Sequence, residues 1–324
     1  MTSEARLEAP PLAVYVHLPW CVQKCPYCDF NSHTAPTELP VHDYLVALHA
    51  DLTLELTQTG GRPIESVFIG GGTPSLFPAE AIGRVLEWLG PHLARDAEIT
   101  LEANPGTVVQ GRFAALRRVG VNRLSLGVQS FDADRLAALG RIHGPDEARR
   151  AVAAVHAAGF ETFNVDLMFA LPGQNPAGAE ADVAEALRLG APHISHYELT
   201  IEPNTVFYAD PPALPDEEMA WAMQARCSET LAGAGLRRYE ISAWGLPGHA
   251  CRHNLVYWQF ADYLGVGAGA HGKLTDPANN AVTRYRKVNV PGLYMARAGQ
   301  GTPAAARWEV PPAERPLEFL MNAL

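Results

Sequence analysis

The sequence predicts an α/β fold, namely an incomplete (β/α)6 barrel of the TIM type with a C-terminal extension. Short runs rich in β-branched residues alternate with longer amphipathic runs through residues 12–200, as in repeated βα units around a parallel sheet. No linker or close repeat interrupts this segment. Nearly all of its unusual residues directly follow a predicted strand, where parallel barrels build their sites.

The predicted strands are short apolar runs that end at glycine, proline or polar residues. They are Leu12–Leu18, Ser66–Ile69, Glu98–Glu102, Arg123–Gly127, Thr162–Phe169 and His193–Leu199. The helices predicted between them carry Leu, Val and Ala at steps of three and four residues. They are Val41–Gln58, Pro78–Gly90, Val109–Val119, Pro145–Ala158 and Ala177–Leu189.

We predict four segments: an N-terminal tail over 1–11, the barrel core over 12–200, an extension over 201–313, and the start of a helical domain over 314–324. In the last segment apolar residues recur at helical spacing, namely Leu317, Leu320, Met321 and Leu324. Because the sequence stops there, we expect either a truncation or a short natural variant.

Composition limits the function. The chain has 324 residues, of which 48% are hydrophobic and 19% charged, as in an ordinary soluble protein with one large core. No run of eighteen apolar residues predicts a membrane span, and residues 1–13 do not read as a signal peptide, so we expect a cytoplasmic protein. The net charge of −10, without clustered Lys and Arg, argues against nucleic acid as a partner.

Three cysteines form a Cys-x3-Cys-x2-Cys run at Cys21, Cys25 and Cys28, just after the first predicted strand. Three such thiolates can bind three irons of a 4Fe–4S cluster and leave the fourth iron open. Structural zinc needs four ligands, usually in two pairs, and only Cys227 and Cys251 remain. A disulfide framework is typical of small secreted chains with an even cysteine count, whereas this chain has five. A cluster is favoured, with zinc and disulfides as the alternatives.

The ends of four further strands carry polar or glycine-rich residues that we expect to face the same cavity as the cysteines. They are Gly70–Pro74, Glu102–Pro105, Gln129 with Ser130, and Asp166. Glycines let a backbone approach a ligand, and carboxylates accept from hydroxyl or ammonium groups. Arg141 is a candidate partner for a carboxylate. Each residue alone also fits a turn, a solvated charge or a surface ion pair.

These motifs resemble the radical S-adenosylmethionine enzymes, within them the group related to oxygen-independent coproporphyrinogen oxidase, and most closely the HemW-type heme chaperones. The resemblance covers almost the whole chain. Its stretches are Tyr15–Cys21, Cys25–His33, Phe68–Phe77, Glu102–Thr107, Gly127–Phe131, Leu139–His143, Asn164–Gln174, Tyr197–Asn204, Tyr239–Ser242, His249–Trp258 and Tyr263–Gly272.

The resemblance implies that Cys21, Cys25 and Cys28 hold the 4Fe–4S cluster and that S-adenosylmethionine chelates its open iron. It also implies a set of cofactor-binding residues, with His271 beside the adenosine. They are Tyr15, Tyr27, Gly71, Gly72, Thr73, Glu102, Gln129, Arg141, Asp166 and His271. Gly267–Gly272 fits a dinucleotide-binding pattern, but Lys273–Asn280 is rich in Pro and Asn rather than helical, so that interpretation is set aside.

Two departures from the oxidases favour the chaperone branch: Phe30 stands where they carry a fourth cysteine, and few residues precede the cysteine run. The His-Asn-x-x-Tyr-Trp motif of that branch is present, which implies heme binding by His253, Tyr257 and Trp258. From the residues alone, a histidine beside aromatic side chains is more often packed in a core. The family usually has a further C-terminal helical domain.

We therefore expect a chaperone that hands heme to an acceptor hemoprotein, in particular one of a respiratory chain. No catalytic residue is assigned. The alternatives are a radical enzyme that decarboxylates a porphyrinogen and a cluster-bearing protein without turnover. Dimerisation and peripheral association with a membrane are left open.

Overall fold

The computed structural model describes residues 6–107 and 111–323, which form an α/β fold of repeated strand–helix units. The strands in chain order are β1 Leu12–Leu18, β2 Trp20–Cys21, β3 His33–Thr34, β4 Ile64–Gly71, β5 Leu93–Ala103, β6 Arg123–Gln129, β7 Thr162–Phe169, β8 His193–Glu198, β9 Arg237–Arg238, β10 Ala243–Gly245, β11 Asp262–Val266, β12 His271–Asp276, β13 Ala281–Lys287 and β14 Ala304–Glu309. The α-helices are α1 Val41–Leu56, α2 Ala79–Leu89, α3 Arg112–Arg118, α4 Ala133–Ala138, α5 Pro145–Ala157, α6 Pro176–Arg188, α7 Val206–Ala209, α8 Glu217–Gly233, α9 Arg252–Trp258, α10 Pro291–Ala298 and α11 Arg315–Ala323.

All six predicted strands are present, and β1 and β7 have the predicted bounds. The five predicted core helices are present as α1, α2, α3, α5 and α6, and the predicted C-terminal helix is α11. The predicted start of α3 at Val109 lies outside the described residues. Helix α4 is an addition, since six residues are too few to show a helical period in sequence. No helix among the described residues is both long and apolar enough to cross a membrane.

The chain divides into two compact units. The first contains the residues up to Pro19, then Pro36–Thr100, and everything from Cys251 onwards; the second contains Trp20–Ala35 and Leu101–Ala250. The predicted boundary after residue 200 falls inside the second unit. The four-segment division remains a prediction.

In the first unit the strand order is β14-β13-β12-β11-β1-β4. β1 pairs in parallel with β4 and with β11, whereas β11 to β14 pair antiparallel. Six of the seven residues of β1 are buried, because a parallel strand in the middle of a sheet is covered on both faces.

A buried charge network lies beside this sheet. Lys287 on β13 pairs with Asp51 and Glu55 of α1, and these three side chains have essentially no solvent exposure. Arg307 adds a second cation at Glu55, with an N–O distance of 3.0 Å. The network therefore balances two buried carboxylates with two cations, as buried charges require.

In the second unit the strand order is β6-β7-β8-β10-β9. β6, β7 and β8 are parallel, with Asp166 opposite Ser195 and Asn164 opposite His193 in the register of β7 and β8. The short parallel pair β2 and β3 brackets the cysteine run. The predicted α/β fold with parallel βα units is confirmed.

Candidate cofactor site

The three cysteines lie on one segment of the second unit: Cys21 ends β2, and Cys25 and Cys28 lie on the loop between β2 and β3. β2 carries Cys21, whose carbonyl accepts from Ala35 N–H at 2.8 Å. Cys28 N–H donates to Cys25 O at 3.1 Å, which makes the segment between them a tight turn. None of the three cysteines forms a disulfide, and all three are partly exposed. The segment therefore presents three thiols that are not part of a disulfide.

Backbone contacts at Pro26 hold the loop in place. Its carbonyl accepts from Phe207 N–H at 3.0 Å. Gly140 has φ +64°, and a Cβ there would lie 2.9 Å from Cδ of Pro26. Tyr27 packs against the core cluster that contains Leu139 and Phe207. Glycine is required at residue 140 both by its backbone conformation and by this close approach.

Arg141 connects the cysteine loop to β6. Its Nη1 lies 3.4 Å from Cys25 Sγ and 3.5 Å from the Tyr27 hydroxyl, and its Nη2 donates to Gly127 O at 2.7 Å. Its Nε is buried and lacks a hydrogen-bond partner within the described residues. A half-buried guanidinium with one unused, buried donor suits an anionic ligand. Burial raises the pKa of Tyr27 above its ordinary value, so this phenol stays neutral.

The donor set fits a cluster better than a single metal ion. No group of three His, Cys, Asp or Glu side chains in the described parts of the chain converges so as to hold one ion. Zinc would need its ligands at about 2.0 to 2.3 Å from one centre. In a 4Fe–4S cluster each thiolate binds its own iron, so the sulfurs need not converge on one point. Three thiols outside disulfides, with the Arg141 guanidinium beside one of them, fit that group.

Gln129 and Asp166 lie on β6 and β7 of the same unit. Gln129 has φ +70°, an uncommon conformation for a residue with a side chain, and its Oε1 accepts from the Tyr197 hydroxyl at 2.6 Å. Asp166 accepts from Asn164 and Ser125 at 2.6 and 3.2 Å. Burial raises the pKa of Asp166 above its ordinary value.

Glu102, the other predicted acceptor, is half-buried near the end of β5 in the second unit. This unit thus contains the cysteine loop, Tyr27, Glu102, Gln129, Arg141 and Asp166.

Tyr15 and the glycine run lie in the first unit. Gly71 has φ +113°, and a Cβ there would lie 2.5 Å from the His17 ring, so only glycine allows this approach. The Tyr15 hydroxyl lies 2.9 Å from His17 Nδ1. Gly72 N–H donates to Leu18 O at 2.8 Å, and the following Thr73 is buried. His17, which sequence reasoning did not single out, supports both predicted cofactor-binding segments of this unit.

The second glycine segment of this unit is held by hydroxyl groups. The Tyr44 hydroxyl donates to His17 O and accepts from Ala268 N–H, at 2.8 and 2.9 Å. Gly267 N–H lies 3.1 Å from the Tyr294 hydroxyl. His271 begins β12 and is exposed. Since β12 is a strand rather than a helix, the dinucleotide interpretation fails, as predicted.

The predicted heme residues lie on α9 in the first unit. His253 is 2% exposed, and its ring stacks on Phe68 at 5.2 Å. Its Nδ1 lies 3.2 Å from Ser66 Oγ and its Nε2 lies 3.1 Å from the Tyr257 hydroxyl. Burial lowers the pKa of His253 to about 3, so the imidazole is neutral. Tyr257 and Trp258 are partly exposed. Both nitrogens of His253 are therefore engaged in this conformation.

Comparison with known proteins agrees with this description. The model of the Radical SAM superfamily matches residues 15–186. The heme chaperone HemW of Escherichia coli is 47% identical over 98% of this chain and 83% of its own length. HemW proteins of Haemophilus influenzae and Mycobacterium tuberculosis are 46% and 36% identical over 97% and 93% of this chain, and over 82% and 78% of their own lengths.

A solved structure has the same fold. Coproporphyrinogen III oxidase (HemN) of Escherichia coli superposes with a TM-score of 0.84 over 99% of this chain and 76% of its own, at 22% identity. At that identity the likeness shows the fold alone. The family match over more than half of the chain and the long alignments with close relatives establish descent. The chain belongs to the radical SAM superfamily and, within it, to the family of the HemW heme chaperones.

Proposed function

We propose that the protein is a heme chaperone that carries a 4Fe–4S cluster, binds S-adenosylmethionine, and transfers heme to an acceptor hemoprotein of a respiratory chain. The observation that carries this proposal is the alignment over nearly the whole chain with proteins named heme chaperone HemW. The three cysteines outside disulfides, with Arg141 at Cys25, support the cluster.

Cys21, Cys25 and Cys28 are the proposed cluster ligands, as thiolates. Nη1 of Arg141 donates to the Cys25 sulfur, which stabilises negative charge there. When bound, the cluster supplies one-electron redox chemistry to S-adenosylmethionine. The protein holds the thiolates in position through the contacts at Pro26, and it keeps water away from the buried side of the loop.

The residues proposed to bind S-adenosylmethionine offer different chemical groups in the two units. In the second unit Glu102, Gln129, Arg141 and Asp166 offer charged or amide groups. The first unit offers backbone groups, two hydroxyls and two rings, from Tyr15, Gly71, Gly72, Thr73 and His271. Because Gly71 has no side chain, the His17 ring can pack directly against it.

Heme is the proposed cargo, and His253 with Tyr257 and Trp258 is its proposed site. Ligation of the iron by Nε2 requires the Tyr257 hydroxyl to release that nitrogen. Ligation by Nδ1 requires Ser66 to do the same. Heme loading is therefore expected to move α9 or at least the Tyr257 side chain.

Heme titration of the anaerobically reconstituted protein, followed in the Soret region, tests the proposal. His253→Phe keeps an aromatic ring against Phe68 but removes the ligand nitrogens, so we expect stoichiometric binding to be lost. His196→Phe is the matched control, because His196 is also buried and stacked on a phenylalanine, at 4.7 Å from Phe169. Equal binding by both variants would contradict the assignment of His253.

The competing function is oxidative decarboxylation of a porphyrinogen. Incubation of the reduced protein with S-adenosylmethionine and coproporphyrinogen III under anaerobic conditions separates the two. A heme chaperone should yield no protoporphyrinogen. Stoichiometric protoporphyrinogen and 5′-deoxyadenosine would overturn the proposal.

A further inference from the structure

A chain of hydrogen bonds runs from Asp166 through Asn164 and His193 to Tyr239, all within the second unit. Asn164 and His193 are almost fully buried, at 2% and 1% exposure. They lie opposite each other on the paired strands β7 and β8. None of Asn164, His193 and Tyr239 has a role in the proposed function.

The backbone of Ser195 fixes the orientation of the Asn164 amide. Ser195 N–H can only donate, and it lies 2.9 Å from Asn164 Oδ1. A flipped amide would place an NH2 group against this N–H. Oδ1 therefore faces β8, and the NH2 group of Asn164 faces the other way.

That orientation also fixes the tautomer of His193. Its Nδ1 lies 2.7 Å from Asn164 Oδ1, which only accepts, so Nδ1 carries the proton. Nε2 of the neutral ring then accepts from the Tyr239 hydroxyl at 2.8 Å. Burial, with the charge of Arg123 and then His249, lowers the pKa of His193 well below its ordinary value, which keeps the ring neutral.

On its other side the Asn164 amide holds a carboxylate. Nδ2 donates to Asp166 Oδ1 at 2.6 Å and to Ser125 Oγ at 2.8 Å. Ser125 Oγ in turn donates to Asp166 Oδ2 at 3.2 Å. Asn164 and Ser125 thus hold both carboxylate oxygens, Ser195 is a further donor, and the carboxylate retains acceptor capacity for a ligand.

We propose that Asn164 is a positioning residue for Asp166, and that the Ser195 N–H, together with His193 and Tyr239, holds its amide in the required orientation. This inference rests on the proposed function, in which Asp166 accepts from a hydroxyl or ammonium group of S-adenosylmethionine. A carboxylate that is fixed before binding loses little freedom when the ligand arrives, which strengthens binding. Asn164 acts through Asp166 and does not touch the ligand.

A double-mutant cycle on S-adenosylmethionine affinity, measured by calorimetry on the reconstituted protein, tests this step. Asn164→Ala should weaken binding about tenfold, the size of one lost charge-assisted hydrogen bond. In an Asp166→Ala background the same substitution should have no further effect, because the group that it positions is gone. A second tenfold loss in that background would show that Asn164 supports the fold generally and would overturn the proposal.

Two further variants separate positioning from stability. Tyr239→Phe keeps the ring and removes only the hydroxyl at His193 Nε2, so we expect a smaller loss of affinity, about two- to fivefold. Asn175→Ala is the matched control: Asn175 is an exposed N-cap of α6 whose side chain accepts from Gly178 N–H at 2.9 Å. It should lower the melting temperature and leave the affinity unchanged. Equal losses of affinity in both variants would contradict the proposed chain.

A measurement without ligand distinguishes failure of this inference from failure of the proposed function. Nitrogen NMR of the ligand-free protein should show His193 neutral and protonated at Nδ1 at pH 6, and Asn164→Ala should abolish that preference. A protonated ring, or a proton on Nε2, would overturn the hydrogen-bond chain. If the NMR result holds but the wild-type protein binds no S-adenosylmethionine, the role of Asp166 and the proposed function fail together, and the positioning role fails with them.

Discussion

The guanidinium of Arg141 reaches from the sulfur of Cys25 to the backbone carbonyl of Gly127, at 3.4 and 2.7 Å. One side chain thus connects the cysteine loop to the parallel strand β6. Its charge lies against a thiol that we propose as a cluster ligand. Hydrogen bonds and cations at cluster sulfurs raise the reduction potential, since they stabilise the more negative, reduced state.

We predict that Arg141→Gln still assembles a cluster but lowers its midpoint potential. Removing one positive charge a few ångströms from the sulfur should shift the potential negative by on the order of 100 mV at an effective dielectric constant near 20. Arg135→Gln is the control, since Arg135 donates to Pro172 O instead of a cysteine. Spectroelectrochemistry of both variants measures the shift, and equal potentials would show that Arg141 does not act on the cluster.

Gly140→Ala should displace the cysteine loop. The new Cβ would lie 2.9 Å from the Pro26 ring, and the backbone is left-handed at φ +64°. Gly159→Ala is a control with the same kind of strain, φ +76°, and no atom within 4 Å. We expect backbone strain to lower the free energy of unfolding by about 1 kcal/mol in each variant. Gly140→Ala should be destabilised further by the contact with Pro26, and it should bind less iron. Chemical denaturation and iron content measure both effects, and equal iron in the two variants would contradict the role of Pro26.

Asp182 should make the stability of the second unit fall as the pH rises from about 4 to 6. This carboxylate accepts from Phe131 N–H and Ser130 Oγ, and burial raises its pKa to about 6. The folded state then holds its proton more tightly than the unfolded chain, so folding is most favoured below the unfolded pKa, and this contribution is lost as the pH rises through the folded value.

Asp182→Asn removes this titration, so the difference in unfolding free energy between variant and wild type should change by up to about 3 kcal/mol across that pH range. Urea denaturation at several pH values measures the difference. A constant difference would mean that Asp182 titrates normally.

Lys287→Met should strongly destabilise the first unit. It would leave the buried carboxylates of Asp51 and Glu55 with Arg307 as their one remaining cation among the described residues. Breaking a buried ion pair in this way costs about 3 to 5 kcal/mol. Lys273→Met is the matched comparison, because its partner Asp262 keeps Arg62 at 2.9 Å. Thermal unfolding should show the larger decrease in melting temperature for Lys287→Met. A larger decrease for Lys273→Met would contradict the argument from the cations that remain beside the buried carboxylates.

The sequence was sufficient for the strands and helices of the core, because β1 and β7 are short runs rich in aliphatic and aromatic residues and the predicted helices are long enough to show their period. The sequence did not predict which of the candidate site residues are buried. From the residues alone the aromatic motif around His253 favoured a packed ring, whereas the family resemblance implied a heme ligand, and the structure shows a packed ring with both nitrogens bonded. The partners of Arg141 were also not predictable, since a carbonyl and a sulfur more than ten residues away leave no local pattern.

The contact between Pro26 and Phe207 has a consequence for synthesis of the protein. The carbonyl of Pro26 emerges from the ribosome long before the amide of residue 207 that binds it. At about 5 to 20 residues per second, roughly 10 to 40 s separate the two events. During that interval the nascent chain exposes Cys21, Cys25 and Cys28 without the residues that shape their loop. We therefore expect the proposed cluster to be assembled after residue 207 has been translated, with the thiols kept reduced until then.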